Sequence, residues 1–100
     1  MPFRLVYHPE VRSDDVPLID AKNRNRLSRA ILERLGSAPQ SYGVPLRKTL
    51  KGYWKLRVGD YRIVFKITGS EVWIFAVMHR KDVYEKVGGR LDWSGTSRVH

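Results

Sequence analysis

The chain has 100 residues and no cysteine, and nineteen Lys and Arg against ten Asp and Glu give it a net charge of +9. That length fits one domain able to bury roughly two thirds of its unfolded surface, and the 42% hydrophobic content argues against disorder. The composition excludes a disulfide framework and a thiolate metal site, and no apolar run approaches the ~20 residues that span a bilayer.

Phe3-Arg4-Leu5-Val6-Tyr7-His8 reads as a first strand, with Phe3, Leu5 and Tyr7 on one face. Pro9 ends it and opens a short helical stretch that Pro17 interrupts. A firmer helix follows. Asp20 is its N-cap, Leu27, Ala30, Ile31 and Leu35 recur at helical spacing, Arg24, Arg26, Arg29 and Glu33 take the solvent side, and Gly36 stops it. Residues 37–43 read as a loop, and Val44 to Lys51 leads into the sheet.

Trp54, Leu56 and Val58 then alternate with Lys55 and Arg57, and Gly59-Asp60 makes a hairpin turn into Tyr61–Ile67. After a second turn at 68–71, Val72 to Met78 is apolar on both faces, as a central strand covered on two sides would be. Asp82 to Val87 allows one helical turn. The expected order is β-α-α-β-β-β-(α), an α+β fold with a mostly antiparallel sheet and an N-terminal helical hairpin on one face. Residues 1–87 form the domain, and 88–100 read as a tail anchored by Trp93.

The positive charge is uneven. Residues 47–78 hold Arg47, Lys48, Lys51, Lys55, Arg57, Arg62 and Lys66 against Asp60 and Glu71 alone. Neutralising phosphates with such a cluster releases counterions, so a nucleic acid backbone is the expected partner, with a merely solvated face as the plainer reading. Strand alternation sends Trp54, Leu56, Ile63 and Phe65 toward the helices and leaves Lys55, Arg57, Arg62 and Lys66 on an open face. His79, Arg80 and Lys81 emerge where the central strand ends, and Tyr84 follows about one helical turn later.

Such a surface suits RNA cleavage without a metal or other cofactor. The 2′-hydroxyl must lose a proton, the phosphorane must be stabilised and the 5′-oxygen must gain a proton. A lysine among cations gives up its proton more readily, which makes Lys55 beside Arg57 and Arg62 an expected base. The planar fork of Arg62 fits two phosphate oxygens. Tyr84 is placed to stack on a base or to hydrogen-bond near the 2′-hydroxyl, and His79 is a candidate acid. Arg47, Lys48, Lys51, Arg57, Lys66 and Lys81 are expected RNA-binding cations. No carboxylate pair, nucleotide loop or metal-spaced His cluster occurs.

Two stretches, Leu56-Arg57-Val58-Gly59-Asp60-Tyr61-Arg62-Ile63-Val64 and His79-Arg80-Lys81-Asp82-Val83-Tyr84, together with Pro45-Leu46-Arg47 and Leu50-Lys51-Gly52, resemble the RelE/ParE superfamily of bacterial toxins, the RelE branch in particular. The resemblance implies a toxin that enters the ribosomal A site and cuts the messenger codon there. Lys55, Arg62, Arg80 and Tyr84 fall on functional positions of the family and Arg57 on a cleft-lining arginine. It implies a RelB-like antitoxin with an amphipathic segment, and operator DNA bound only by the toxin–antitoxin complex. The basic face predicts that the antitoxin is acidic where it touches Lys55, Arg57 and Arg62, and with no strong apolar surface left once helices and sheet pack, the free toxin is expected to be a monomer. At Tyr53 the best-studied branch has a further lysine, so the general base stays open, with His79 a candidate. A ParE-like gyrase inhibitor without nuclease activity and a non-catalytic nucleic-acid-binding module are the alternatives. The opening Met1-Pro2-Phe3-Arg4 has no signal-peptide stretch, and a cytoplasmic location with no membrane partner is expected.

Overall fold

The computed structural model describes residues 2–46 and 52–93. Five strands form one sheet in the order β1-β5-β4-β3-β2: β1 (Arg4–Tyr7), β2 (Val44–Pro45), β3 (Trp54–Val58), β4 (Tyr61–Thr68) and β5 (Glu71–His79). β1 runs parallel to β5 and every other pair is antiparallel. Both expected hairpin turns form. Val58 pairs with Tyr61 across Gly59-Asp60, and Thr68 pairs with Glu71 across Gly69-Ser70. Gly59 and Gly69 take φ of 59° and 60°, the left-handed region that glycine enters without steric penalty.

Between β1 and β2 the chain is helical. A π-helical turn (Val11–Asp15) and a 3-10 turn (Val16–Leu18) form the first arm, with Pro17 inside the second turn. The second arm is α1 (Ala21–Ala30), which widens into a π-helical stretch (Ile31–Leu35) before Gly36. Asp20 occupies the N-cap position in extended conformation, but its carboxylate accepts from the Asn23 side chain at 2.7 Å instead of a backbone N–H. The segment 37–43, expected to be a loop, contains a single helical turn, α2 (Pro39–Tyr42). Pro39 stands at its start with the pre-set φ of a first helical residue, and its ring is buried.

The helical arms bury Val11, Ile19, Leu27, Ile31 and Leu35 against Leu56, Val58, Ile63, Phe65, Val72 and Ile74 of the sheet. β5 is covered on both sides, as its two-faced apolar sequence requires. A register shift between Val64 and Phe65 leaves Phe75 without a direct partner on β4, so Phe75 and Ala76 both face away from the helical arms. They meet Val64, Met78, Val83 and Val87 in a second apolar cluster. Its roof is α3 (Val83–Lys86), the 3-10 turn Val87–Arg90, Leu91 and Trp93. The second face of the sheet is therefore roofed over β5, as the doubly apolar 72–78 predicts, and the bulge adds one more aromatic ring to what the roof buries.

Candidate nucleic-acid interface and reactive site

The β3–β4 hairpin places Lys55, Arg57 and Arg62 on the face away from the helical arms, where β3 and β4 extend beyond the roof. Arg57 lies directly opposite Arg62, and Lys55 opposite Val64. Like charges directly opposed across a sheet are unfavourable by a few tenths of a kcal/mol to about 1 kcal/mol, so this pair costs stability unless an anion lies over it. Arg62 is held by its own turn. Its Nη1 donates to the carbonyls of Gly59 at 3.0 Å and Tyr61 at 2.9 Å, while Nε and Nη2 bond to none of the described residues.

α3 brings Tyr84 over the same face. The Lys55 Nζ donates to the Tyr84 hydroxyl at 3.2 Å and lies 5.9 Å from the ring centroid. Tyr84 is 51% exposed, so its hydroxyl and ring edge remain open to a ligand. Val83 beside it is fully buried and fixes the helical turn that carries it. Lys66 stands further along β4 with its ammonium 5.5 Å above the Tyr53 ring. Tyr53, where a lysine was the family expectation, is half-buried and donates its hydroxyl to the Leu91 carbonyl, so it ties the roof to the sheet.

The residues after β5 divide. Arg80 is exposed at the hairpin tip, its backbone N–H on the Asp60 carbonyl at 2.8 Å and its Nε 3.7 Å from the Asp60 carboxylate. His79 points the other way. It pairs with Tyr61 on the helical side of the sheet, the rings meeting edge to face at 5.7 Å, and its Nδ1 accepts from the Lys81 N–H. The structure thus brings Lys55, Arg57, Arg62 and Tyr84 together, sets Arg80 at their rim, and turns His79 to the opposite face. Lys81 is exposed beside Arg80. Arg47, Lys48 and Lys51 lie outside the described residues.

A residue the sequence reading passed over holds the roof. Arg90 is buried, with Nη1 and Nη2 donating to both carboxylate oxygens of Asp15 at 2.8 and 2.9 Å, and Nη1 also to the Phe75 carbonyl. Asp15 accepts in addition from the Val77 N–H. Burial opposes the charge on Arg90, but the bond to Asp15 and the nearby Glu10 outweigh it and raise its pKa. No local pattern signals this pair, since its members lie at opposite ends of the chain. His8, packed edge-on against Trp93, accepts the Glu10 N–H at Nδ1, and burial lowers its pKa below the ordinary value.

A family model described as the ParE toxin of type II toxin–antitoxin systems matches residues 7–84. The chain belongs to that toxin family, within the RelE/ParE superfamily, and its fold is that of the RelE-like toxins. Among solved structures it is similar to the RelBE2 toxin–antitoxin complex of Mycobacterium tuberculosis, at 26% identity and TM-score 0.74 over 82% of this chain and 95% of that one. It is also similar to the RelB–RelE complex of Methanococcus jannaschii, at 23% identity and TM-score 0.64 over 80% and 95%. A mutant of the E. coli toxin RelE in the free state shares the fold at 17% identity and TM-score 0.69, over 91% and 99%. No curated protein matches the chain. Among the described residues no helix is long and apolar enough to cross a membrane.

Proposed function

We propose that this toxin is an endoribonuclease that cuts messenger RNA in the ribosomal A site by attack of a 2′-hydroxyl on the adjacent phosphate. The observation that carries this reading is the Lys55–Tyr84 hydrogen bond on the face that also bears the opposed Arg57–Arg62 pair. Lys55, reacting as its amine, takes the proton of the 2′-hydroxyl as the 2′-O–P bond forms. Tyr84 gives its phenolic proton to the 5′-oxygen as the P–O5′ bond breaks. The Lys55 ammonium then returns its proton to the Tyr84 phenolate, which restores both groups and leaves a 2′,3′-cyclic phosphate. Nε and Nη2 of Arg62 meet the oxygens of the phosphorane, with Arg57 opposite and Arg80 at the rim. His79 has no part in this scheme because its ring lies across the sheet.

The relatives solved with RelB support a cognate antitoxin as partner, its acidic segment lying over Lys55, Arg57 and Arg62. The complex, not the free monomer, would bind operator DNA. The second reading is a ParE-like inhibitor of gyrase, favoured by the description of the matching family. Primer extension on a defined message in a purified translation system separates the two. Ribosome-dependent, in-frame 5′ ends that vanish with Arg62→Ala support the nuclease. Intact message with accumulated gyrase–DNA complexes supports the inhibitor.

A further inference from the structure

A second basic concavity lies on the helical side of the hairpin and shares only Arg57 with the reactive group. It has a volume of about 410 Å³, and Lys22, Arg26, Arg29, Arg34 and Arg57 line it against a single carboxylate, Glu33. Among the described residues none of these five cations makes an ion pair. A cleft lined by one sign of charge over a protein wall focuses its field, and unpaired arginine forks bind phosphate oxygens well.

Two features join this cavity to the reactive face. β2 covers only Trp54 and Lys55 of β3, so the described edge is open at Arg57 and Val58, and Arg57 belongs to both surfaces. The Arg26 guanidinium packs on the hairpin turn, where a Cβ on Gly59 would lie 2.8 Å from its Nη1. The Gly59 carbonyl accepts from Arg62 on the other side. One turn therefore fixes an arginine of the cavity and an arginine of the reactive face relative to each other.

We propose that the α1 cavity is a second phosphate subsite for single-stranded RNA, which holds the message backbone beside the scissile position after it passes over the β3 edge. The identity of the strand rests on the nuclease reading, while the affinity for RNA phosphate does not.

The test is fluorescence anisotropy of the full-length protein with a twelve-nucleotide 2′-O-methyl RNA, which cannot be cleaved through its 2′-oxygen, across a salt series. Arg26→Ala/Arg29→Ala removes two exposed helix cations and keeps a strong helix former. Arg4→Ala/Arg12→Ala removes equal charge near the opposite edge of the sheet. The first variant should bind about tenfold more weakly, with a salt slope shallower by about 1.4, and the second should bind nearly as wild type. Equal losses in both variants would overturn the subsite in favour of net charge. Unchanged RNA binding, with lost affinity for polyglutamate, would overturn it in favour of an acidic protein partner. If wild type leaves messages intact while the first variant alone loses RNA affinity, the subsite stands and the nuclease reading falls. If wild type cleaves and the first variant binds normally, the subsite alone falls.

Discussion

The Lys55 Nζ lies 3.2 Å from the Tyr84 hydroxyl, a hydrogen bond between β3 and α3. If the two act as a proton relay, Tyr84→Phe lowers single-turnover cleavage of a ribosome-bound message about 10²-fold or more, the usual size of a general acid–base contribution. Its melting temperature should stay near that of wild type, because an exposed hydroxyl is removed without opening a cavity. A variant that still cleaves at the wild-type rate would remove Tyr84 from the chemistry.

The buried Asp15–Arg90 pair closes the roof over the second apolar cluster. Asp15→Ala leaves the buried guanidinium with only the half-exposed Glu10 carboxylate, 3.3 Å from its Nε, and breaking a buried pair of this kind costs about 3–5 kcal/mol. Urea unfolding should show that loss. Asp15→Ala/Arg90→Met should recover much of it, because replacing both partners of a buried pair by apolar groups is often near neutral.

Gly59 serves two needs, its φ of 59° and the space for the Arg26 guanidinium. Gly59→Ala should lower stability by about 1–2 kcal/mol from the left-handed backbone alone. Gly59→Asn, which tolerates that conformation better, should cost less of the backbone strain. Chemical denaturation of the two variants compares them directly. Equal stability of Gly59→Ala and wild type would mean the turn relaxes freely.

Burial lowers the His8 pKa below the ordinary imidazole value, and its Nδ1 accepts the Glu10 N–H. Its surroundings include Glu10, Asp14 and Asp15, which favour the charged form, and Arg90, which opposes it. With the folded pKa lowered, the unfolded chain binds the extra proton between that value and about 6.5. Stability should therefore fall as pH drops below about 6.5 and level off beneath the folded pKa. The slope should be smaller in His8→Gln, as measured by thermal melts across pH 5–8 against about 6.5 as the reference for free histidine. A steeper decline in the variant would contradict the sign.

Much of the fold was legible because its signals are local. Alternation in 54–67 gave the hairpin and its faces, and the doubly apolar 72–78 gave the covered strand. The helix from Asp20 was legible from Leu27, Ala30, Ile31 and Leu35, although its widening after Ala30 was not. What stayed hidden depends on distant pairing. The bulge at Phe75 carries no sequence mark, so a cover over 72–78 could be expected but not that Phe75 and Ala76 would both enter it. The pleat pairs His79 with Tyr61, away from Lys55 and Tyr84, a placement that its position beside Arg80 in the sequence does not give. The α1 cavity did leave a trace, since Lys22, Arg26 and Arg29 recur at i, i+4 and i+7, yet a charged helix face reads as a solvated one until the hairpin edge is placed beside it.

The most direct test of the central claim is a ribosome-bound message in which the nucleotide immediately 5′ of the scissile phosphate, in one codon that the protein cuts, is a 2′-deoxynucleotide, read by primer extension. In-line attack by the 2′-hydroxyl predicts that this codon is spared while neighbouring all-ribose codons are still cut, with a 2′,3′-cyclic phosphate on the released fragment. Cleavage of the deoxy codon at the ordinary rate, or an intact all-ribose message under the same conditions, would contradict the account.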